Sequence, residues 1–213
     1  MKRRGMAAFG KPLMALAAGC CIALALFAGT TAFRQTRAAA PEPPPPARQH
    51  VADGRIFYRA GDLPAIVLPD GRRESVRSVL STRKQMRYGD FVWNDANVPQ
   101  GPVWILVDLR TQILTAFRAG HEIGSAVILY GGQNKPSPVG SFRITQKAED
   151  YVSRTYNAPM PYMLRLTDDG VAIHASTVRR GAATHGCIGV PDEFARRLFT
   201  ETRTGDHVAI VGA

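Results

Sequence analysis

β-Branched or aromatic residues at every second position constrain the fold of this chain more than any other feature. They recur from Val103 to Val107, stop at a polar break over 108–112, and recur from Ile113 to Phe117. Period two is the repeat of a β-strand, so the pattern predicts a β-hairpin. Further β-type runs are separated by turn residues and favour an antiparallel sandwich or barrel. These runs span 123–130, 142–145, 163–166, 171–174 and 207–211.

One segment near the C-terminus departs from this period. Phe194, Leu198 and Phe199 fall on one face of a helix, Pro191 suits the first helical turn, and Gly205 follows the end. The sequence therefore predicts a helix over 191–202 and a fold that is mainly β, a sandwich or barrel with one C-terminal helix. Residues 51–100 carry no recognisable chemistry and are interpreted as a lead-in subdomain before a domain at 101–213. A short helix is expected there over 74–80.

The first 40 residues predict a cytoplasmic stub and a transmembrane or signal helix. Residues 12–33 contain no charged side chain, and as a helix they reach the ~30 Å hydrocarbon thickness of a bilayer. We favour an uncleaved anchor over a signal peptide, because the run is long and its small-residue site at 38–40 precedes Pro41. The basic residues before it place that end in the cytoplasm and the rest outside. A Pro-rich linker follows at 41–50.

Charge and cysteine content exclude several classes of protein. The net charge is +10, but six basic residues and no acidic ones lie within the first 40 positions, which leaves +4 for the remainder. That value lacks the dense basic surface of a nucleic-acid-binding protein, so no nucleic-acid partner is expected. Cys20 and Cys21 lie in the apolar run, so the rest of the chain has Cys187 alone and cannot form an internal disulfide.

Reactive residue types are concentrated between His174 and Cys187. Cys187 ends the triplet His185-Gly186-Cys187, and Gly186 allows backbone N–H groups to approach a developing oxyanion. An imidazole nearby can lower the thiol pKa from ~8.5, so we expect Cys187 to be largely ionised. A zinc site formed by His174, His185 and Cys187 is the alternative, although no fourth ligand is evident.

Four separated segments together resemble the L,D-transpeptidase catalytic domain family, of YkuD type. They are His174, the block 184–188 (THGCI), the turn 136–142 (PSPVGSF) and the triplet 160–162 (MPY). The resemblance covers about 103–211 and implies an L,D-transpeptidase-like β-fold. It also implies a bacterial cysteine acyltransferase of the cell envelope that acts on peptidoglycan stem peptides without a cofactor or metal, and that carbapenems acylate.

The resemblance also implies a role for particular residues. Cys187 would be the nucleophile and His174 its base, with His185 and Gly186 completing the catalytic set through oxyanion contacts. The residues implied at the substrate-binding site are Tyr156, Tyr162, Thr184 and Ala175, and the Ala175 carbonyl would also orient His174. Gly189 stands where the family commonly has Arg or Asn.

Three functions follow as alternatives. The first is L,D-transpeptidation, in which a terminal D-alanine is released and the acyl group passes to an amine acceptor. The second is an L,D-carboxypeptidase of the same fold, in which water replaces the amine. The third is a non-catalytic module that binds the cell wall. In each case the expected location is periplasmic, tethered to the inner membrane by the N-terminal helix, and the oligomeric state stays open.

Overall fold

The computed structural model describes residues 49–82 and 84–212. The predicted anchor over 12–33 and most of the predicted linker lie outside these residues. Within the described ranges, no helix combines the length and apolar character that crossing a bilayer requires. The elements in chain order are β1 (Gln49–Ala52), β2 (Arg55–Tyr58), β3 (Ala65–Val67), β4 (Arg73–Ser75), β5 (Ser78–Leu80), β6 (Phe91–Trp93), β7 (Val103–Asp108), β8 (Ile113–Arg118), β9 (His121–Val127), β10 (Gly140–Arg143), β11 (Gln146–Ala148), β12 (Met163–Arg165), β13 (Ala172–Ala175), β14 (Ile188–Val190), α1 (Asp192–Glu201) and β15 (His207–Val211).

The strands form one large sheet and two small ones. The large sheet has the order β1-β2-β5-β9-β8-β7-β15-β10, and β6 also pairs with β9, antiparallel. The second sheet has the order β11-β12-β13-β14, and β3 and β4 form a separate ribbon. The prediction of a mainly β fold with one helix is confirmed. The predicted hairpin is β7 and β8, which pair antiparallel from Val103 opposite Arg118 to Asp108 opposite Ile113.

Helix α1 and the main core connect the two larger sheets. Phe194 and Leu198 are fully buried in the helix face that contributes to this core, together with Ile105 of the large sheet and Ile173 of the four-stranded sheet. The Phe194 ring contacts the Trp93 ring edge-on, with centroids 5.4 Å apart. The apolar face that the sequence predicts for this helix is therefore the face that packs into the core.

The expectation of an antiparallel architecture is wrong, because β5 with β9, β7 with β15, and β13 with β14 pair parallel. Parallel neighbours need a long crossover connection. The segment 176–187 provides it between β13 and β14, and α1 lies in the connection that precedes β15. The first of these crossovers carries the His-Gly-Cys triplet.

The short helix expected over 74–80 is also wrong. This segment contains the end of β4 and all of β5. The Arg77 N–H donates to the Gly120 carbonyl at 2.7 Å, and the Arg77 carbonyl accepts the Tyr58 N–H at 2.9 Å. Backbone groups engaged by distant strands cannot form the i to i−4 bonds of a helix. Strands β1, β2, β5 and β6 belong to the same large sheet as β7–β9, and the division into units at 51–100 and 101–213 stays a prediction.

Candidate active site

The register of β13 and β14 brings His174 and Cys187 to one face of the four-stranded sheet. His174 lies opposite Gly189 in this parallel pair, and Cys187 is two residues before Gly189. Side chains two apart on a strand point to the same face. Both side chains line a cavity of about 610 Å³. The predicted residues Tyr156, Thr184 and His185 line it as well.

The His174 imidazole is held in one orientation by a backbone carbonyl. Its Nδ1 lies 2.8 Å from the Ala175 oxygen. A carbonyl oxygen only accepts hydrogen bonds, so Nδ1 carries the proton and Nε2 of the neutral ring has a free lone pair. Burial lowers the pKa of His174, and the bond to Ala175 opposes that shift only in part. His174 is therefore neutral at pH 7 and available as a base.

Burial acts on Cys187 in the direction opposite to the sequence-based expectation. Loss of solvent raises the pKa of the Cys187 thiol, and a hydrogen bond with the Ala172 backbone and the charge of Lys135 offset this only in part. The direction of this shift is opposite to the expectation of a largely ionised thiol, because the fold partly buries the sulfur. The polar atom next to Sγ is the Gly170 oxygen at 3.8 Å. The resting pair is a thiol and an imidazole, and the proton transfer belongs to the attack step.

The loop before Cys187 presents backbone donors to the cavity. Gly186 has a φ of +100°, a conformation that glycine adopts without steric cost. The N–H groups of His185, Gly186 and Cys187 have no acceptor among residues 49–82 and 84–212. The Thr184 hydroxyl donates to the Cys187 carbonyl, which closes the turn. Free N–H groups beside a nucleophile are suited to bind an oxyanion.

Ser137 is a structural residue of the site to which the sequence analysis assigned no role. Its buried hydroxyl donates to the Gly186 carbonyl and accepts the Gly131 N–H, each at 2.9 Å. A side chain on Gly131 has no room, since a Cβ there would lie 2.2 Å from the Lys135 oxygen. The segments 131–132 (GG) and 136–138 (PSP) thus support the loop that precedes Cys187. A polar residue between two prolines was the available signal.

A family model for the L,D-transpeptidase catalytic domain (YkuD) matches residues 102–210, just over half of the chain. The chain belongs to the L,D-transpeptidase catalytic domain family. The resemblance noted from the His174 and Cys187 motifs is thereby confirmed.

Individual proteins and solved structures are also similar to this chain. L,D-transpeptidase 1 of Mycobacterium tuberculosis is 27% identical over 124 residues, which are 50% of this chain and 49% of that protein. The crystal structure of an L,D-transpeptidase from Stackebrandtia nassauensis has a TM-score of 0.50 and 21% identity, covering 54% of this chain and 57% of that one. A structure of an L,D-transpeptidase in complex with imipenem has a TM-score of 0.49 and 21% identity, over 51% and 58% of the two chains. The chain spans about half the length of the curated relatives it matches.

The two tyrosines noted in this L,D-transpeptidase domain have different surroundings. The Tyr156 ring is exposed at the cavity and stacks on the His185 ring, with centroids 4.5 Å apart. Lys135 Nζ lies 5.8 Å from the centre of the Tyr156 ring. Tyr162 does not line this cavity, and its ring packs against Phe199 at 5.9 Å. Of these two tyrosines, Tyr156 is thus the one that lines the cavity with Cys187.

Close packing around Gly189 leaves no room for a side chain at this position in this member of the family. A Cβ at Gly189 would lie 2.8 Å from the Ser176 Cβ and 3.4 Å from the Leu129 Cβ. The Gly189 backbone also exchanges hydrogen bonds with Leu129, at 2.8 and 2.9 Å. The polar residue that borders the cavity here is therefore Ser176.

The zinc alternative has no geometric support. Across residues 49–82 and 84–212, no three His, Cys, Asp or Glu side chains are grouped as metal ligands would be. Cys187 is a free thiol. His174, His185 and Cys187 share the cavity without forming such a group.

Proposed function

We propose that this chain is an exported L,D-transpeptidase that transfers an acyl group between peptidoglycan stem peptides. The observation that carries the proposal is the placement of Cys187 and His174 on one face of the small sheet, within one cavity. A half-buried neutral base that shares a cavity with a half-buried thiol, with free N–H groups in the loop before the sulfur, is an arrangement suited to acyl transfer.

In the first half-reaction, Nε2 of His174 removes the thiol proton as the Cys187 sulfur attacks the carbonyl carbon of the third stem residue. A C–S bond forms, and the carbonyl oxygen becomes an oxyanion that the N–H groups of Gly186 and Cys187 bind. The C–N bond to the terminal D-alanine then breaks, and the imidazolium returns its proton to the departing amine. The products are a thioester on Cys187 and free D-alanine.

In the second half-reaction, an amine of another stem peptide attacks the thioester. The amine loses a proton to His174, the new C–N bond forms, and the C–S bond breaks. The sulfur regains its proton from the imidazolium, which restores the resting pair. Water in place of the amine would give the L,D-carboxypeptidase reaction. Thiol, imidazole and backbone account for every proton and electron pair, so the proposal needs no cofactor or metal.

The proposal includes the location of the protein. Peptidoglycan lies outside the cytoplasm, so a protein that acts on it must be exported. The basic flank and the apolar run within residues 1–40 are suited to export. We include a periplasmic location, an uncleaved inner-membrane anchor, and a Pro-rich linker over 41–50 that holds the domain away from the bilayer. Covalent inhibition by a carbapenem at Cys187 also belongs to this proposal.

The test is incubation of the detergent-solubilised full-length protein with a disaccharide-tetrapeptide. We expect D-alanine release and cross-linked dimers, and neither product with Cys187→Ala. Trimmed tripeptide without dimers would support the carboxypeptidase alternative. Retention on insoluble peptidoglycan without thiol-dependent turnover would support the binding module and contradict the proposal.

A further inference from the structure

The cavity that contains Cys187 also contains an arginine with no acidic partner. Arg165 ends β12 and lines this cavity. Its Nε donates to Gln146 Oε1 at 3.1 Å and its Nη2 donates to the Tyr151 hydroxyl at 2.9 Å. The guanidinium carbon lies 5.6 Å from the centre of the Tyr151 ring. Within residues 49–82 and 84–212, Arg165 forms no ion pair.

The bonds to Gln146 and Tyr151 position the guanidinium and leave one edge of it open. Arginine has five N–H donors in a planar fork, and these bonds use Nε and one donor of Nη2. Nη1 has no acceptor in the described part of the chain. The edge formed by Nη1 and the second donor of Nη2 therefore keeps its capacity to bind a planar anion in two places.

The open edge lies on the side of the cavity where the nucleophile is. Arg165 Nη1 is 3.8 Å from the position that a Cβ on Gly170 would occupy. The Gly170 carbonyl is the polar neighbour of the Cys187 sulfur, also at 3.8 Å. Gly170 thus lies between the two groups. Burial raises the pKa of Cys187, the Asp169 charge adds to that shift, and the Arg165 charge opposes it. The arginine is close enough for its charge to act at the sulfur.

Two acidic residues border the same cavity without neutralising Arg165. Asp168 and Asp169 are exposed in the turn between β12 and β13. The Asp169 carboxylate accepts a hydrogen bond from the Thr167 hydroxyl in that turn. Because neither carboxylate pairs with Arg165, the guanidinium is available to a carboxylate that arrives with a ligand.

We propose that Arg165 binds the terminal carboxylate of the donor stem peptide. The inference rests on the proposed function, in which Cys187 attacks the bond before the terminal residue. That carboxylate lies one residue beyond the attacked carbonyl, a span of at most ~3.6 Å of extended chain. Gly170 borders both groups, with its carbonyl 3.8 Å from the Cys187 sulfur and its Cβ position 3.8 Å from Arg165 Nη1. A donor extended by one residue would present a neutral amide at this point. Arg165 is thus a specificity residue for donors that end one residue after the attacked bond.

The experiment compares two donors, the disaccharide-tetrapeptide with a free C-terminal carboxylate and the same molecule with a C-terminal amide. Wild type and Arg165→Gln are assayed with each donor for kcat and KM. A charge-assisted bidentate contact corresponds to about 10- to 100-fold. We expect Arg165→Gln to lower kcat/KM for the free acid by that factor and to leave the amide unaffected. The ratio between the two proteins cancels the intrinsic difference between the leaving amines.

Two further variants control for charge and geometry. Arg154→Gln removes an equal charge from the rim of the same cavity and should retain the preference for the free acid. Arg165→Lys retains the charge but not the planar fork, so we expect it to recover only part of the preference.

A binding measurement keeps this inference separate from the proposed function. The affinity of each donor for Cys187→Ala, with and without Arg165→Gln, is measured by calorimetry and needs no turnover. If Arg165→Gln weakened the binding of both donors equally, or left the preference for the free acid unchanged, the proposed role of Arg165 would be wrong. Absence of turnover in the wild type would contradict the proposed function, while the calorimetry would still decide whether Arg165 recognises a terminal carboxylate.

Discussion

Two clusters of buried or half-buried titratable groups in the described part of the chain differ in how much of their hydrogen-bonding capacity is used. The Glu122 cluster joins polar residues of four strands of the large sheet: Arg55, Ser78, Thr115, His121, Glu122 and Ser125. The second cluster is the Cys187 site on the four-stranded sheet. Burial shifts pKa values in both clusters, raising that of Glu122 and that of Cys187.

The Glu122 cluster satisfies its polar atoms internally. One carboxylate oxygen accepts the Leu80 N–H at 2.9 Å, and the other accepts the Ser125 hydroxyl at 2.7 Å. The Arg55 guanidinium donates to the carbonyls of Glu122 and Asn94. The cluster thereby connects β2 and β5 to β9. The bonds of Glu122 and Arg55 thus join strands of the fold.

Several groups of the Cys187 site have unused hydrogen-bonding capacity within residues 49–82 and 84–212. The His174 Nε2 lone pair, the N–H groups before Cys187 and one edge of Arg165 have no partner in the described part of the chain. A partly buried group without a partner is costly to the folded state. Both clusters are polar and have shifted pKa values, and they differ in the unused bonding capacity that the proposed function assigns to a substrate.

Removing the base of the Cys187 site is expected to have the largest effect. His174→Ala should slow acylation by a carbapenem by ~10²- to 10⁴-fold, the usual contribution of a general base. The measurement is the pseudo-first-order rate of adduct formation by mass spectrometry. His185→Ala is the matched control, because its exposed ring stacks on Tyr156 and is assigned no proton transfer. Equal losses in the two variants would contradict the assignment of the base.

Removing the cation of the Glu122 cluster should reduce stability. Arg55→Met leaves the carbonyls of Glu122 and Asn94 without donors, so we expect the free energy of unfolding to fall by ~2–5 kcal/mol. Urea denaturation measures the change. D-alanine release per folded molecule should stay near the wild-type value, and a fall of tenfold or more would show that the two clusters are not independent.

Ser137→Ala tests the residue that supports the Cys187 loop. The substitution leaves the Gly186 carbonyl and the Gly131 N–H without their buried partner, at a cost of ~1–3 kcal/mol of stability. Acylation should slow as well, because the donors near the oxyanion shift. Ser137→Thr keeps the hydroxyl and serves as the control. Wild-type stability and rate in Ser137→Ala would rule out this supporting role.

The smallest effect concerns the pH dependence of stability. Burial raises the folded-state pKa of Glu122 above its ordinary 4.5, so its contribution to stability decreases as pH rises from that value through the folded pKa. Glu122→Gln removes this titration, while its amide can still accept the Leu80 N–H and donate to Ser125. We expect the variant to gain stability relative to wild type across this window. Chemical denaturation at a series of pH values measures the difference, and a constant difference would contradict the shift.

Local patterns predicted the elements that local chemistry determines. The alternation from Val103 to Phe117 predicted the hairpin, and the spacing of Phe194 and Leu198 predicted the helix. The parallel pairs and the strands at 73–80 were missed, because distant chain segments supply their partners. A short window contains no information about such partners.

The sequence likewise predicted only part of the candidate site. The residue types at His174 and Cys187 indicated the chemistry, and the fold places both in one cavity. The direction of the Cys187 pKa shift was missed, because it depends on burial by residues remote in sequence. Ser137 and Arg165 act through the Gly186 carbonyl and an open guanidinium edge, and neither relation is visible in the chain order.

The raised pKa of Cys187 also bears on the durability of the protein. Peroxides attack the thiolate, and they convert an ionised cysteine to sulfenic acid and then to irreversible products. A half-buried thiol that stays protonated at rest offers them little of the reactive form. In the proposed mechanism His174 takes the proton only as a substrate carbonyl is attacked, so the sulfur would be nucleophilic only with substrate bound. A cell-envelope protein built in this way would resist inactivation during the long intervals between turnovers.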